Sequence, residues 1–201
     1  MRLAMTPAPV SRNVFAPEIT TRTTYRKARA TFLSDTDSVH DDDSNVSIRQ
    51  LTIDEAGSIV EGRRPERGWA SDFPAEGDVT STRYATFSAS SVHEPWHAPW
   101  LILLDGLVVG TLGFKGEPVV DILEVGYSVV PSVQRRGVAT RALAQLLDQV
   151  RGRGITVKAD TAKWNTASQS VLRHLHFTEI EGPHGDGGEN DTVIFWQRSA
   201  Q

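Results

Sequence analysis

The chain has 201 residues, a formal net charge of −4 at pH 7, a pI near 5.9 and no cysteine, which excludes disulfides, thiolate catalysis and cysteine-based zinc sites. The charge balance gives no general attraction to nucleic acid or to an anionic membrane and favours a cationic substrate, and no apolar run reaches membrane-spanning length. We therefore expect a cytoplasmic protein with one folded domain that is large enough to bury a core.

Charge is uneven in the first part of the chain. Residues 1–30 carry six Lys and Arg against one acid, Glu18, and residues 31–45 carry five Asp and no Lys or Arg. Neither stretch has the apolar periodicity needed to offset the entropy lost on ordering. We predict that residues 1–45 are a mostly disordered extension and that the folded domain covers 46–201. Translation that begins further along the chain is an alternative interpretation of the extension.

The folded part begins with a strand and a short helix. Residues 47–51 alternate like an edge strand, and Thr52 with Glu55 forms a capping box that opens a helix to about Glu61. Residues 62–99 predict short helices and loops.

One motif in this loop region fits a protease pattern. His93-Glu94-Pro95-Trp96-His97 matches H-E-x-x-H, which binds zinc when both histidines lie one turn apart on a continuous helix. Pro95 removes that helix, so we expect a loop here and no metal site.

A hairpin is the clearest local signal in the chain. Residues 100–104 and 107–114 are apolar runs on either side of Asp105-Gly106, a pair typical of a type I′ turn. A buried strand is then predicted over 122–130, closed by Pro131.

The junction between this strand and the next helix carries the most informative pattern, the run Gln134-Arg135-Arg136-Gly137-Val138-Ala139-Thr140. Apolar residues then recur at helical spacing through Val150. A small-residue turn that feeds a helix presents unpaired backbone N–H groups and the positive end of the helix dipole, which together hold phosphate or pyrophosphate. Bulky side chains at Gly137 or Ala139 would keep a ligand's oxygens from these amides. We predict that this turn binds a phosphorylated cofactor.

The remaining elements predict an α/β sandwich. Gly152 and Gly154 end the helix, a strand covers 155–160 and a second helix covers 166–175. Closing strands are expected at 177–181 and 192–197, around a glycine-rich loop.

The order of these motifs resembles a known superfamily. Neither the dinucleotide turn G-x-G-x-x-G nor the P-loop string G-x-x-x-x-G-K-[ST] occurs. Instead, Glu124-Val-Gly-Tyr127 precedes Gln134-x-x-Gly137-x-Ala139, and Asn165-x-x-Ser168 follows. From about Val46 to Arg198 the chain thereby resembles the GNAT superfamily of acetyl-CoA-dependent N-acetyltransferases, and within it the branch similar to ribosomal-protein N-terminal (RimJ/RimL-like) acetyltransferases.

The resemblance implies a fold and a cofactor. The fold is a mixed, mostly antiparallel sheet flanked by helices, with splayed central parallel strands, and acetyl-CoA is the acetyl donor. Backbone groups of the central strand polarise the thioester and pair with pantetheine, at Tyr127, Ser128, Val129 and Val130. Asn165 contacts the pantetheine arm or is a plain helix N-cap. The pyrophosphate residues are Gln134, Arg135, Arg136, Gly137, Val138, Ala139 and Thr140, with Arg136, where glycine is common, adding a charge for phosphate.

The resemblance also implies two catalytic residues. The acceptor amine must lose a proton before it attacks, and Glu124 is the first candidate for the base, directly or through water. Its face of the strand also carries Gly126 and Ser128. Ser168 is the candidate proton donor to the leaving thiolate, because this branch places a serine near the CoA sulfur at that position. Other members use a tyrosine one turn later, where this chain has Leu172, which leaves Ser168 or water as the acid.

Alternatives to Glu124 stay open at this point. A partly exposed strand glutamate paired with a basic residue is one interpretation of Glu124 itself. Other candidate bases lie in the late loop, at His184, Glu189 and Asp191.

Two further expectations follow from the resemblance. The 62–99 region lies over the acceptor site in this superfamily, so its aromatic residues are candidates for substrate contacts or else cap the core: Trp69, Phe73, Tyr84, Phe87 and Trp96. His176 stands where glycine usually precedes Phe177, and histidine tolerates left-handed backbone better than most residues, so the turn should survive.

The expected function is direct transfer of an acetyl group from acetyl-CoA to an amine in a ternary complex. The acceptor is a small-molecule amine or a protein N-terminal amine; an open acidic groove favours peptides and a closed aromatic pocket favours small amines. A non-catalytic CoA-binding regulatory module is the alternative. No nucleic-acid or membrane partner is expected, and a homodimer is compatible with this interpretation.

Overall fold

Eleven regular elements form the part of the chain that the computed structural model describes, which is residues 44–64, 68–86, 94–182 and 193–200. The strands are β1 Val46–Gln50, β2 Trp100–Leu104, β3 Leu107–Phe114, β4 Ile122–Val129, β5 Thr156–Ala162, β6 Thr178–Ile180 and β7 Val193–Arg198. The helices are α1 Ile53–Val60, α2 Glu76–Thr86, α3 Val138–Asp148 and α4 Thr166–His174. Each element that the sequence predicts is present, with ends that differ by one or two residues.

The strands form one seven-stranded sheet in the order β1-β2-β3-β4-β5-β7-β6. Among the described strands, β4 and β5 are the one parallel pair, joined by α3 as a crossover, and the other neighbours are antiparallel. This is the mixed, mostly antiparallel sheet that the sequence predicts.

The two central strands separate soon after they pair. The parallel register runs from Ile122 opposite Thr156 to Glu124 opposite Lys158. Beyond that point β4 continues beside β3 up to Val129, while β5 continues beside β7 up to Ala162. A cleft therefore opens between β4 and β5, which confirms the predicted splay.

The hairpin between β2 and β3 turns as predicted. Asp105 and Gly106 have φ of 50° and 85°, and a type I′ turn requires a positive φ at both of its central residues. Leu101 and Ile102 are fully buried beneath it. The turn also anchors the start of the domain, because Asp105 Oδ1 accepts a hydrogen bond of 2.8 Å from Asn45 N.

Helices lie on both faces of the sheet. A Cβ at Gly77 of α2 would lie 3.0 Å from Ser128 Oγ, whereas Tyr127 reaches Ser168 of α4. Because successive strand residues point to opposite faces, α2 and α4 pack on opposite sides of β4. Helix α3 lies with α4 and buries the apolar stripe Ala142, Leu143, Leu146 and Leu147.

Helix α2 is the element that the sequence specifies least clearly. Its sequence, EGDVTSTRYAT, has little apolar periodicity, so only short helices were expected across 62–99. Its buried anchor is polar: Asp78 is fully buried and accepts hydrogen bonds from Ala75 N at 2.9 Å and Thr111 Oγ1 at 2.8 Å. Burial raises the pKa of Asp78, and these hydrogen bonds oppose the rise.

Candidate active site

The hydrogen-bond register of β4 decides which backbone groups face the cleft. Lys115 N donates to Glu124 O, and Val130 N donates to Val109 O at 2.9 Å. In an antiparallel pair alternate residues bond to the neighbouring strand, so Ser128 N–H is directed toward β3 as well. The N–H and C=O groups of Tyr127 and Val129 therefore point the other way, into the space where β5 has moved away.

The four strand residues expected to touch the cofactor thus divide into two pairs. Tyr127 and Val129 present backbone groups to the cleft, while the N–H groups of Ser128 and Val130 face β3. One of these cleft-facing groups has a side-chain partner, because Gln134 Nε2 donates to Val129 O at 3.1 Å. The Gln134 side-chain amide therefore holds the Val129 carbonyl in place.

The turn before α3 has an unusual backbone. A short 3₁₀ turn spans Pro131–Val133, and Arg135 and Gly137 then adopt left-handed conformations with φ of 63° and 69°. Helix α3 begins at Val138, and the first N–H to bond back inside the helix is that of Arg141, to Gly137 O at 3.0 Å. The N–H groups of the first helical turn, those of residues 138–140, consequently point out along the helix axis.

Arg141 braces this turn from behind. Its guanidinium donates to Arg136 O at 3.1 Å and to Ser44 O at 2.9 Å, so one side chain ties the turn to the start of the domain. A Cβ at Gly137 would meet nothing within 4 Å. Glycine is therefore favoured there by the left-handed φ, and the space around its Cβ position is open.

Glu124 belongs to a cluster of three charges on the α2 face of the sheet. Lys115 Nζ binds Glu124 Oε1 and, at 2.7 Å, Asp160 Oδ1. All three side chains are about half exposed. Burial alone would lower the pKa of Lys115, but its bonds to Asp160 and Glu124 outweigh this and raise it. Burial alone would raise the pKa of Asp160, but its hydrogen bond to Lys115 outweighs this and lowers the pKa.

The residues predicted to share a strand face with Glu124 do so. A Cβ at Gly126 would lie 3.4 Å from Lys115 Cε, so the lysine chain crosses the bare backbone of Gly126 to reach Glu124. Ser128 lies further along the same face, beside Gly77 of α2. The carboxylate of Glu124 is thus reachable from solvent at the point where the cleft opens.

Ser168 lies on the opposite face, in the first turn of α4. Its Oγ is 2.6 Å from the Tyr127 hydroxyl, and its N–H donates to Asn165 Oδ1 at 3.1 Å. Burial raises the pKa of Tyr127, while the bond to Ser168 opposes the rise. Asn165 is therefore a helix N-cap through Oδ1, as in the second of the two interpretations that the sequence offered.

The structure also places two positions where this chain departs from its resemblance. Leu172 is fully buried in the core, so it packs rather than functions. His176 has φ of 63°, which confirms that the turn before Phe177 keeps its left-handed backbone without glycine.

The aromatic residues of the 62–99 region pack on the core where their side chains are described. Phe73 is 1% exposed and packs edge-to-face on Trp69, with the ring centres 4.9 Å apart. The backbone of Trp69 forms an isolated β-bridge with Val108. Trp96 lies beneath the Arg153 guanidinium, 5.4 Å from its ring centre. Tyr84 lies in α2, and Phe87 lies outside the described residues.

The H-E-x-x-H segment is described from Glu94 onward, and 94–99 form turns and bends rather than a helix. Glu94 pairs with Arg153 at 2.8 Å and His97 with Glu117 at 3.2 Å. His93 lies outside the described residues, as do the alternative bases His184, Glu189 and Asp191. Within the described ranges no group of three His, Asp or Glu side chains is arranged to hold a metal ion.

Sequence reasoning missed three residues at this site. Lys115 and Asp160 complete the Glu124 cluster, and Trp164, which directly precedes the N-cap Asn165, is 81% exposed. The signal for Lys115 lies in the β3–β4 pairing, which places it opposite Glu124. Trp164 carries no pattern, because single exposed apolar residues are common. No helix in the described part of the chain is long and apolar enough to span a membrane.

The sequence and the fold were compared with known protein families and solved structures. Residues 65–177 match the model of the Acetyltransferase (GNAT) family. RimJ of Mycobacterium smegmatis, in complex with CoA-disulfide, is 23% identical with a TM-score of 0.53, over 77% of this chain and 82% of that chain. RimL, a ribosomal L7/L12 alpha-N-protein acetyltransferase in complex with coenzyme A, is 21% identical with a TM-score of 0.54, over 77% and 94%.

A third solved structure, yncA from Salmonella typhimurium with its cofactor acetyl-CoA, is 17% identical with a TM-score of 0.50, over 78% of this chain and 94% of that chain. At these identities the three structures establish the fold. No curated protein matches the sequence.

Proposed function

Because the chain belongs to the Acetyltransferase (GNAT) family, and is therefore an N-acetyltransferase with acetyl-CoA as donor, we propose that it acetylates protein or peptide N-terminal amines ahead of small-molecule amines. The observation that carries this choice is the half-exposed carboxylate of Glu124, together with the packing of the described aromatic side chains of the 62–99 region against the core, namely those of Trp69, Phe73 and Trp96. The RimL neighbour acts on a protein N-terminus, which supports the same choice.

The residues present fit acetyl-CoA. The amides of the first turn of α3, residues 138–140, would hold the pyrophosphate, with the left-handed Arg135 and Gly137 shaping the turn around it. Tyr127 and Val129 would pair with pantetheine through their backbone groups, since these point into the cleft. When bound, acetyl-CoA supplies the acetyl thioester that the amine attacks.

Glu124 is proposed as the base that removes a proton from the acceptor. An ammonium group has no lone pair, so its proton must leave before nitrogen can attack a carbonyl carbon. The Glu124 carboxylate is partly exposed at the cleft opening, where an amine or a water can reach it, so it can accept the proton directly or through a water. The Tyr127 and Val129 amides point into the cleft and would supply hydrogen bonds to a carbonyl oxygen that gains charge there.

Ser168 is proposed to donate a hydrogen bond to the leaving sulfur from the opposite side of the strand. It lies on the α4 face of β4 while Glu124 lies on the α2 face, because Tyr127, which touches Ser168, and Glu124 have opposite strand parity. Proton removal and sulfur departure are thereby assigned to opposite sides of the cleft.

A panel of amines and peptides, read by release of CoA, tests the function. We expect turnover with peptides that carry a free N-terminus and loss of turnover when that terminus is blocked. Glu124→Gln should lower kcat by about 10²–10⁴-fold and leave acetyl-CoA affinity unchanged.

Glu179→Gln, an exposed strand glutamate on β6, is the matched control and should behave as wild type. Binding of acetyl-CoA without turnover of any amine would contradict the function. Near-normal turnover in Glu124→Gln alone would instead transfer the base to Glu189, Asp191 or His184.

A further inference from the structure

Tyr127 makes the one described side-chain contact to the Ser168 hydroxyl. The two hydroxyl oxygens are 2.6 Å apart, and the Tyr127 hydroxyl is also placed to donate to the backbone oxygen Ser168 O at 3.2 Å. This pair joins β4 to the first turn of α4 on the α4 face of the sheet.

The direction of this hydrogen bond follows from acidity. The Tyr127 hydroxyl has one proton and two acceptors within reach, Ser168 Oγ at 2.6 Å and Ser168 O at 3.2 Å. Because a phenol is a stronger acid than an aliphatic alcohol and Oγ is the nearer acceptor, we assign the Tyr127 proton to Ser168 Oγ. Ser168 then keeps its own proton for another acceptor. Asn165 fixes the backbone of Ser168 by accepting from its N–H, so rotation of the hydroxyl is the freedom that Tyr127 removes.

We propose that Tyr127 is a positioning residue that turns the Ser168 hydroxyl proton toward the leaving sulfur. This inference rests on the proposed function, since it needs CoA bound in the β4–β5 cleft. It adds a side-chain role to Tyr127, whose backbone alone was expected to take part.

The chemistry requires hydrogen bonding rather than full proton transfer. As the N–C bond forms, the C–S bond breaks and its electron pair stays on sulfur. A thiol has a pKa near 8.5, so the sulfur is a weaker base than the anion of either hydroxyl and draws no proton from them outright. The burial that raises the pKa of Tyr127 keeps the phenol protonated and able to donate. The Ser168 hydrogen bond stabilises the thiolate, which takes its final proton from solvent. The amine's proton, accepted by Glu124 directly or through a water, returns to solvent from that carboxyl.

A spectroscopic experiment on the resting protein tests the contact without turnover. The three tyrosines, at positions 25, 84 and 127, are labelled with carbon-13 at Cζ, and the Tyr127 signal is assigned with Tyr127→Phe. We expect CoA to shift the Tyr127 signal more than desulfo-CoA does, because sulfur is sensed through Ser168. In Ser168→Ala the two ligands should give the same shift. Equal shifts in the wild type would overturn this inference alone, whereas failure of both ligands to bind would overturn the proposed function and this inference together.

A double-mutant cycle gives the kinetic test. Tyr127→Phe should lower kcat by about three- to tenfold, the size of one hydrogen bond, with KM for acetyl-CoA unchanged. In a Ser168→Ala background the same change should have no further effect. Additive losses would show that Tyr127 acts independently of Ser168 and would overturn the inference. Thr178→Val, which removes a hydroxyl bonded to Gln197 O on β6, is the control and should keep wild-type kcat.

Discussion

Two residues just before α3, separated by Arg136, share a left-handed backbone at different conformational free-energy cost. Gly137 adopts φ of 69° freely, whereas Arg135 at 63° carries a penalty of about 1–2 kcal/mol for a residue with a Cβ. Strained backbone of this kind persists where surrounding structure holds it, and here the Arg141 guanidinium binds the intervening carbonyl of Arg136. The turn is therefore built in advance of any ligand.

Replacing Gly137 by leucine tests the pyrophosphate site. We expect CoA affinity in calorimetry to fall by at least about tenfold, because the side chain would occupy the open space in front of the α3 amides. Gly152→Leu is a matched control: Gly152 has φ of 74° and open space around its Cβ position, but follows the far end of α3.

Both leucine variants should lose about 1–2 kcal/mol of stability from the left-handed backbone, and Gly137→Leu alone should lose affinity. Equal affinities in the two folded variants would place the pyrophosphate elsewhere.

At the scale of one element, α1 is held by its first turn. Thr52 Oγ1 accepts from Glu55 N at 3.3 Å and Glu55 Oε2 accepts from Thr52 N at 3.0 Å, which completes the predicted capping box. Arg49 of β1 adds a second partner, 2.8 Å from Glu55 Oε2. This hydrogen bond from Arg49 is the main reason that the pKa of Glu55 falls to about 2.

The lowered pKa predicts how stability changes with pH. The contribution of Glu55 is fully present above about pH 4.5 and is lost as pH falls toward about 2, because the unfolded chain binds that proton first. Arg49 is 43% exposed, so solvent screening reduces the contribution to about 1 kcal/mol.

Glu55→Gln should therefore lower the free energy of unfolding by about 1 kcal/mol at pH 7, measured in urea, and by progressively less between pH 4.5 and 2. Glu61→Gln, which removes a more exposed pair with Arg63, is the control and should differ from wild type by less than about 0.5 kcal/mol. A pH-independent loss in Glu55→Gln would mean that packing, not charge, is what Glu55 supplies.

At the scale of the whole molecule, Ser44 and Asn45, the two described residues before the predicted domain start at Val46, bind the folded part of the chain. Arg141 binds Ser44 O, and Asn45 exchanges hydrogen bonds with Asp105 at 2.8 and 2.9 Å. These contacts join the first described residues to both the hairpin and the turn before α3. That residues 1–43 contribute nothing to the folded domain stays a prediction.

Two truncations test separately whether residues 1–43 and whether Ser44 and Asn45 contribute to the stability of the domain. Deleting residues 1–43 should leave Tm and CoA affinity unchanged, since no core-forming pattern precedes Val46. Deleting residues 1–45 should lower Tm by about 3–6 °C, the effect of about 1–2 kcal/mol of lost hydrogen bonding in a domain of this size. A drop of several degrees in the shorter truncation would show that the extension packs on the domain.

Local chemistry determined most of the elements in advance. The Thr52 capping box, the Asp105-Gly106 turn and the small-residue turn at Gly137 each specify their conformation within a few residues, because caps, paired positive φ angles and helix starts are local properties. The alternation of β4 also placed Glu124 and Ser128 on one face before any contact was known.

Only the tertiary structure decided what these elements present to one another. The β3–β4 register determined that Tyr127 and Val129, not Ser128 and Val130, direct their N–H groups into the cleft, and it placed Lys115 against Glu124. Pairing partners and buried polar contacts such as Asp78 with Thr111 join residues tens of positions apart, so no local pattern encodes them. The individual helices, strands and turns followed from local signals. The site depended on register, which is a property of strand pairs rather than of either strand.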